Sequence, residues 1–95
     1  MNIEVDNNKY ELIENSEECF DKNEFLEKYT EYFKDFDYIV GDYAYNNLRL
    51  KGFNNKNNKN FKPINDFNNL KKYLSNNCAY GCKYFVLKKE NVWYY

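Results

Sequence analysis

The chain has no histidine and no glutamine, one arginine (Arg49), one proline (Pro63) and three glycines among 95 residues. Without histidine, no side chain of ordinary pKa titrates near neutrality to serve as a general acid or base. Ser16 and Ser75 have no recognisable activating partner, and Glu17-Glu18 is an adjacent pair rather than two carboxylates set across a cleft. Neither a phosphate-binding P-loop nor a dinucleotide-binding glycine-rich turn is present. An enzyme is not expected, and no cofactor is implied. No window approaches the roughly eighteen consecutive apolar residues of a membrane span. The opening Met-Asn-Ile-Glu-Val-Asp lacks a basic segment followed by an apolar run, so the expected location is cytoplasmic.

Cysteine is also scarce: Cys19, Cys78 and Cys82. A structural zinc site takes four ligands, usually from paired Cys/His motifs. Three thiols and no histidine fall short, so no metal is expected. Cys78 and Cys82, spaced Cys-x3-Cys, are a candidate redox pair. The alternative is two small buried thiols bracketing a helix–strand turn.

Aromatics and asparagine are abundant: eleven Tyr, eight Phe, one Trp and eighteen Asn. Twenty aromatics supply large buried area per residue for so short a chain, which at this length forms one domain, residues 1–95. Lys, Asn, Tyr, Phe and Ile share A/T-rich codons, so the skew reads as genome composition, and the Asn runs carry little specific meaning. Net charge is −1, but divided unevenly. Residues 1–47 hold thirteen Asp/Glu against four Lys, and residues 48–95 hold ten Lys/Arg against two Asp/Glu. Such asymmetry hints at a nucleic-acid or membrane partner. Equally, the two halves fold against each other and neutralise.

Ile3, Val5, Tyr10 and Leu12 alternate around Asp6-Asn7-Asn8, the pattern of a hairpin. Asp21 is placed to cap a helix, with Glu24 completing a capping box. Phe25, Leu26, Tyr29, Tyr32, Phe33 and Phe36 continue that helix as one apolar stripe. A second helix begins near Asp66, with Phe67, Leu70, Tyr73, Leu74 and Cys78 on its apolar face. Gly81 turns the chain out of it. Lys83 to Lys88 is the last strand, and its Tyr84-Phe85-Val86-Leu87 run predicts an interior position covered on both faces. A crossover helix places it parallel to the strand at 48–53. The polar stretch 54–63 reads as a mobile loop. Val92-Trp93-Tyr94-Tyr95 is expected to pack down or pair.

Residues 38–53 read as the central hairpin. Asn46-Asn47 as a two-residue turn pairs Tyr45 with Leu48, Tyr43 with Leu50, Asp42 with Lys51 and Gly41 with Gly52. One face then carries Ile39, Tyr43, Tyr45, Leu48 and Leu50, all core. The other carries Val40, Asp42, Ala44, Arg49, Lys51 and Phe53. Asp42, Arg49 and Lys51 are expected to be accessible there. With Tyr38 and Phe53 as stacking platforms and Lys56, Lys59, Lys62, Lys71 and Lys72 nearby, they form the candidate binding face.

The run Tyr-Ile-Val-Gly-Asp-Tyr-Ala-Tyr-Asn-Asn-Leu-Arg-Leu-Lys-Gly-Phe over residues 38–53 resembles the YutD-like family of small proteins from low-GC Gram-positive bacteria. So does the later Cys-Ala-Tyr-Gly-Cys-Lys-Tyr-Phe-Val-Leu over 78–87. The resemblance spans about Ile3 to Lys88. Tyr43 stands where the family usually has Trp, Asn47 where Gln is usual, and the 54–60 loop is richer in Asn. The resemblance implies a small α+β fold and points to no reaction.

The expected architecture is therefore α+β: a small mixed sheet of about five strands in β-β-α-β-β-α-β order, with two helices packed on it. The expected function is a non-enzymatic protein-interaction or regulatory module with a protein partner. One alternative is an RNA- or ribonucleoprotein-binding protein using the Arg49/Lys51 face. Another is a thiol redox sensor through Cys78 and Cys82. No membrane partner is expected, and oligomeric state is not legible.

Overall fold

In the computed structural model, residues 1–77 and 83–90 are described. Strand β1 (Asn2–Val5) and strand β2 (Asn8–Asn15) form the first hairpin. Helix α1 (Lys22–Lys28) follows. Strands β3 (Tyr38–Ala44) and β4 (Asn47–Phe53) make the central hairpin. Helix α2 (Leu70–Asn77) leads to strand β5 (Tyr84–Lys89). Short 3-10 turns at Glu31–Asp35, Pro63–Asn65 and Phe67–Asn69 link these elements. The class and the element order are as expected. No helix among the described residues is long and apolar enough to cross a membrane.

The sheet order is β1-β2-β5-β3-β4. Every ladder is antiparallel, so the sheet is not mixed. Strand β5 does run in the direction of β4, as expected, but it lands on the far side of β3. There it pairs antiparallel with both β3 and β2. The crossover from β4 has skipped one strand, and that converts a parallel neighbour into an antiparallel one.

Two helical layers cover the two sheet faces. On the α1 face, Ile3, Tyr10, Phe25, Ile39, Leu48, Phe85 and Leu87 form one buried cluster. On the α2 face, Tyr38, Val40, Phe53, Leu70 and Val86 form the other. The alternation along β5, with Phe85 and Leu87 to one side and Val86 to the other, follows from the period of two in a strand. All three are buried, as the continuous apolar run predicts. Gly41 and Gly52 are glycine for packing reasons. A Cβ at Gly41 would overlap the Phe85 ring, and one at Gly52 would overlap Phe36.

Both hairpins close with two consecutive residues at positive φ: Asp6 and Asn7 at 50° and 66°, Tyr45 and Asn46 at 53° and 67°. That is the type I′ signature, whose twist matches the flanking strands. The second turn therefore lies one residue earlier than the Asn46-Asn47 expectation. Tyr43 pairs with Leu48, Asp42 with Arg49 and Gly41 with Leu50. The expected pairs of Tyr43 with Leu50 and Asp42 with Lys51 are corrected. Because the partner of each residue changes by two, every strand residue keeps its predicted face. Tyr45 alone moves, from the core to the turn, where it is 98% exposed. A tyrosine in the left-handed region is uncommon; the gain that offsets it is the Asp42–Arg49 pair.

The long first helix is also corrected. Asp21 caps α1, accepting from the Asn23 and Glu24 amides. Glu24 does not close a capping box; its Oε1 accepts from the Tyr43 hydroxyl at 2.6 Å instead. At Tyr29 the backbone turns extended, and β-branched Thr30 is extended too. The break lets the 31–35 turn bring Phe36 across Gly52. Phe25, Tyr29 and Phe33 still meet in sequence as tilted rings, with centroids 5.8 and 6.1 Å apart. Leu26 and Tyr32, predicted in the same stripe, are largely exposed.

The 54–63 loop, expected to be mobile, is tied down by asparagine. Asn54 is fully buried, and Asn65 is nearly so. The Asn54 Oδ1 accepts from the Asp37 amide at 2.9 Å and from Asn58 Nδ2 at 3.1 Å. Asp37 Oδ2 accepts from the Asn55 amide at 2.9 Å, and Asn65 Oδ1 from the Lys62 amide at 2.9 Å. These side chains satisfy backbone groups that no helix or strand would satisfy. Gly81, Cys78, Cys82 and the Val92–Tyr95 tail lie outside the described residues.

Candidate interaction surface

The predicted binding face splits into a buried part and an exposed part. Asp42 is 1% exposed. Its two carboxylate oxygens accept from Arg49, Nε at 3.1 Å and Nη2 at 2.9 Å. This bidentate fork is the geometry lysine cannot copy. Asp42 holds the Arg49 guanidinium firmly protonated, its pKa raised by the hydrogen bond and by the carboxylate charge. The Arg49 side chain is 44% exposed. Asp42 is thus a buried anchor, not the accessible group expected.

Tyr38 and Phe53 are not open stacking platforms. Tyr38 stacks on Phe67, with centroids 3.6 Å apart and planes 5° from parallel. Phe53 meets Phe67 and Tyr73 edge-on, at 6.4 and 5.5 Å. The α2 side of the fold covers both rings, because their apolar area is worth more against that helix than in water. Lys51 sits above Phe53 and Tyr73, its Nζ 5.2 and 5.6 Å from the ring centroids. Burial raises the Tyr73 pKa, and Asp42 adds to it. No aromatic of the predicted face is left free to receive a base, so the geometry lends the RNA alternative no support.

The thiol alternative concerns residues outside the described set. Cys19, which is described, is half-buried, and its Sγ lies 3.4 Å from the Tyr84 carbonyl oxygen. Burial pushes its thiol pKa up, which disfavours the reactive thiolate. Among the described residues, no three Cys, Asp or Glu are grouped to hold a metal ion.

What sequence reasoning missed is a groove beside β4. It has a volume of about 670 Å³. Its floor is Leu50, Lys51 and Gly52. One wall is the 31–36 segment, with Tyr32, Phe33 and Phe36. The other is the 59–65 segment, with Lys59, Phe61, Lys62 and Ile64. Tyr32 and Ile64 are 69% and 76% exposed. Large exposed apolar side chains lining one concave site mark binding surfaces more often than scattered ones do. The signal in the sequence was Ile64, an apolar residue with no place in the predicted core, while Tyr32 was hidden by its fit to the predicted helical stripe. Only the sheet order places them on either side of an edge strand.

The fold defines a class of small α+β proteins with a five-stranded antiparallel sheet, layered by one helix on each face. The chain belongs to the family described as "Putative antitoxin YutD-like", whose model matches residues 4–88. It is 37% identical over 87 residues to "Putative antitoxin YutD" of Bacillus subtilis (strain 168), covering 92% of this chain and 96% of that one. The solution NMR structure of protein yutD from B. subtilis superposes with a TM-score of 0.81 at 34% identity. That match covers 100% of this chain and 86% of the other.

Proposed function

We propose that this chain acts by binding a partner protein, in the manner of an antitoxin, and carries out no reaction of its own. The observation that carries the reading is the groove along β4, where exposed Tyr32 and Ile64 stand beside half-buried Phe33, Phe36 and Phe61. The description attached to its family and to its B. subtilis relative supports it. So does the absence of histidine, which removes the commonest acid–base group. An antitoxin that neutralises by occupancy needs a stable docking surface and no reactive group. This fold offers the first, in a cytosolic protein of regulatory role.

The test is genetic and then physical. Deletion of the gene in its own host is expected to arrest growth unless a second gene is also lost. The product of that second gene should then form a complex of defined stoichiometry with this chain by size-exclusion chromatography with light scattering. A clean deletion with normal growth and no suppressor, together with no complex, overturns the reading.

A further inference from the structure

The central hairpin determines which backbone groups of β4 are free. A two-residue I′ turn makes Ala44 and Asn47 a hydrogen-bonded pair, and such pairs then recur at every second residue. Arg49, Lys51 and Phe53 therefore spend their N–H and C=O groups on β3. Leu48, Leu50 and Gly52 turn theirs the other way. The Tyr43 amide confirms this alternation from the other side of β3, since it donates to the Lys83 carbonyl beyond the end of β5. Strand β4 is the last in the sheet order, so these outward groups face no strand among the described residues.

At the next outward position the chain already pairs with itself. The Asn54 amide donates to the Asn65 carbonyl at 2.7 Å, and the Asn54 carbonyl accepts from the Phe67 amide at 3.0 Å. This is a single parallel bridge with Asp66. It stops there because Phe67 begins the turn into α2. The edge is thus competent to take another strand, and two of its outward-facing residues, Leu50 and Gly52, lie at the floor of the groove.

We infer that this edge receives an extended segment of the protein partner, added as a sixth strand, with apolar and acidic side chains in alternation. The inference rests on the protein-binding reading above. A guest strand supplies main-chain hydrogen bonds to Leu48, Leu50 and Gly52 and sends alternate side chains to opposite faces. On the α1 side they meet Tyr32, Phe36 and Leu50, an apolar strip beside the Glu31 and Asp35 carboxylates, which disfavour acidic side chains on that side. On the α2 side they meet Lys51, Lys59 and Lys62, which select carboxylates. Charge complementarity sets the choice of every second residue, and the aromatic wall sets the rest.

The probe is a synthetic extended peptide of alternating leucine and glutamate, with a leucine–lysine peptide as control. Amide exchange on the intact protein is the readout. The leucine–glutamate peptide is expected to protect the Leu48, Leu50 and Gly52 amides and to leave the Arg49 and Lys51 amides, already in the ladder, unchanged. The double reversal Lys59→Glu with Lys62→Glu, at exposed positions, is expected to weaken that peptide about tenfold and to strengthen the control. Protection elsewhere, or none at millimolar peptide, overturns the inference. So does a concentration-dependent dimer that protects the same amides without peptide, or equal displacement by RNA. If the cellular partner still binds the reversal variant at full strength without protecting these amides, the edge inference fails while the antitoxin reading stands. If no partner exists, the antitoxin reading fails instead.

Discussion

Arg49→Ala decides whether the lone arginine serves the fold or a partner. The substitution removes two charge-assisted hydrogen bonds, at 3.1 and 2.9 Å, from a carboxylate that is 1% exposed. Leaving a buried charged acceptor unpaired costs about 3 kcal/mol when water is excluded. The Arg49 side chain is 44% exposed, so its removal admits water to Asp42 and reduces that cost. The expected loss is about 2 kcal/mol, which for a domain of this size lowers Tm by roughly 8–16 °C. Arg49→Lys keeps the charge but loses the planar fork, so it should fall between the two.

A double-mutant cycle isolates the pair from the loss of side-chain packing. Asp42→Ala with Arg49→Ala is expected to be less destabilised than the sum of the single variants, with a coupling of about 1 kcal/mol or more. Urea unfolding followed by circular dichroism supplies all four free energies. If Arg49→Ala lies within about 0.5 kcal/mol of the parent, the pair is not structural. The turn at Tyr45-Asn46 is then held by something other than this pair. Should the expected loss appear, a partner lost in Arg49→Ala says nothing about contact.

Gly41→Ala should cost about 3 kcal/mol, because the new methyl overlaps the fully buried Phe85 ring; Gly52→Ala should cost about 1 kcal/mol, since half-buried Phe36 can swing aside. Thermal melts of the two variants check the order, and equal costs refute it. Asn54→Ala should cost about 2 kcal/mol and release the 55–61 amides to fast exchange, while Asn57→Ala, at an exposed position, should do neither. Alkaline pH should unfold the protein early. Burial and the Glu24 carboxylate raise the Tyr43 pKa; Glu14, then burial, raises that of Tyr84; and burial above all raises those of Tyr10 and Tyr73. A raised folded-state value means the neutral form is the stabilised one. That stability is complete below the ordinary value near 10 and is lost as pH rises through the folded values. Urea midpoints against pH should be flat up to about 10 and then fall, less steeply in Tyr43→Phe, and a flat alkaline limb refutes the sign.

How much was legible depended on which symmetry each feature obeyed. The faces of the central hairpin survived an error in the turn because a strand repeats every two residues, and the pairing was off by two. The interior position of β5 was legible because Phe85, Val86 and Leu87 are apolar on both faces. Its neighbours were not, since nothing local says that a crossover skips a strand. The break at Tyr29-Thr30 was invisible to periodicity, because Phe33 and Phe36 continue the helical spacing while serving a different turn. Asn54 and Asn65 were hidden by their own kind. Among eighteen asparagines, the buried ones that satisfy backbone groups look like the solvated ones.

The candidate site was the least legible part, and the reason lies in what β4 divides between its two edges. Its odd-numbered residues spend their backbone on β3, and two of them place Arg49 and Phe53 in structural contacts. Its even-numbered residues, Leu48, Leu50 and Gly52, carry the unspent groups. Side-chain reasoning was drawn to the first set because arginine, lysine and aromatics are the usual anchors of interfaces. Recognition through backbone leaves no residue signature, because every residue except proline has the same N–H and C=O to offer. A partner-binding test aimed at Arg49 therefore measures the fold. One aimed at the outward amides and at Lys59 and Lys62 measures the interface, and the two can give opposite answers in the same protein.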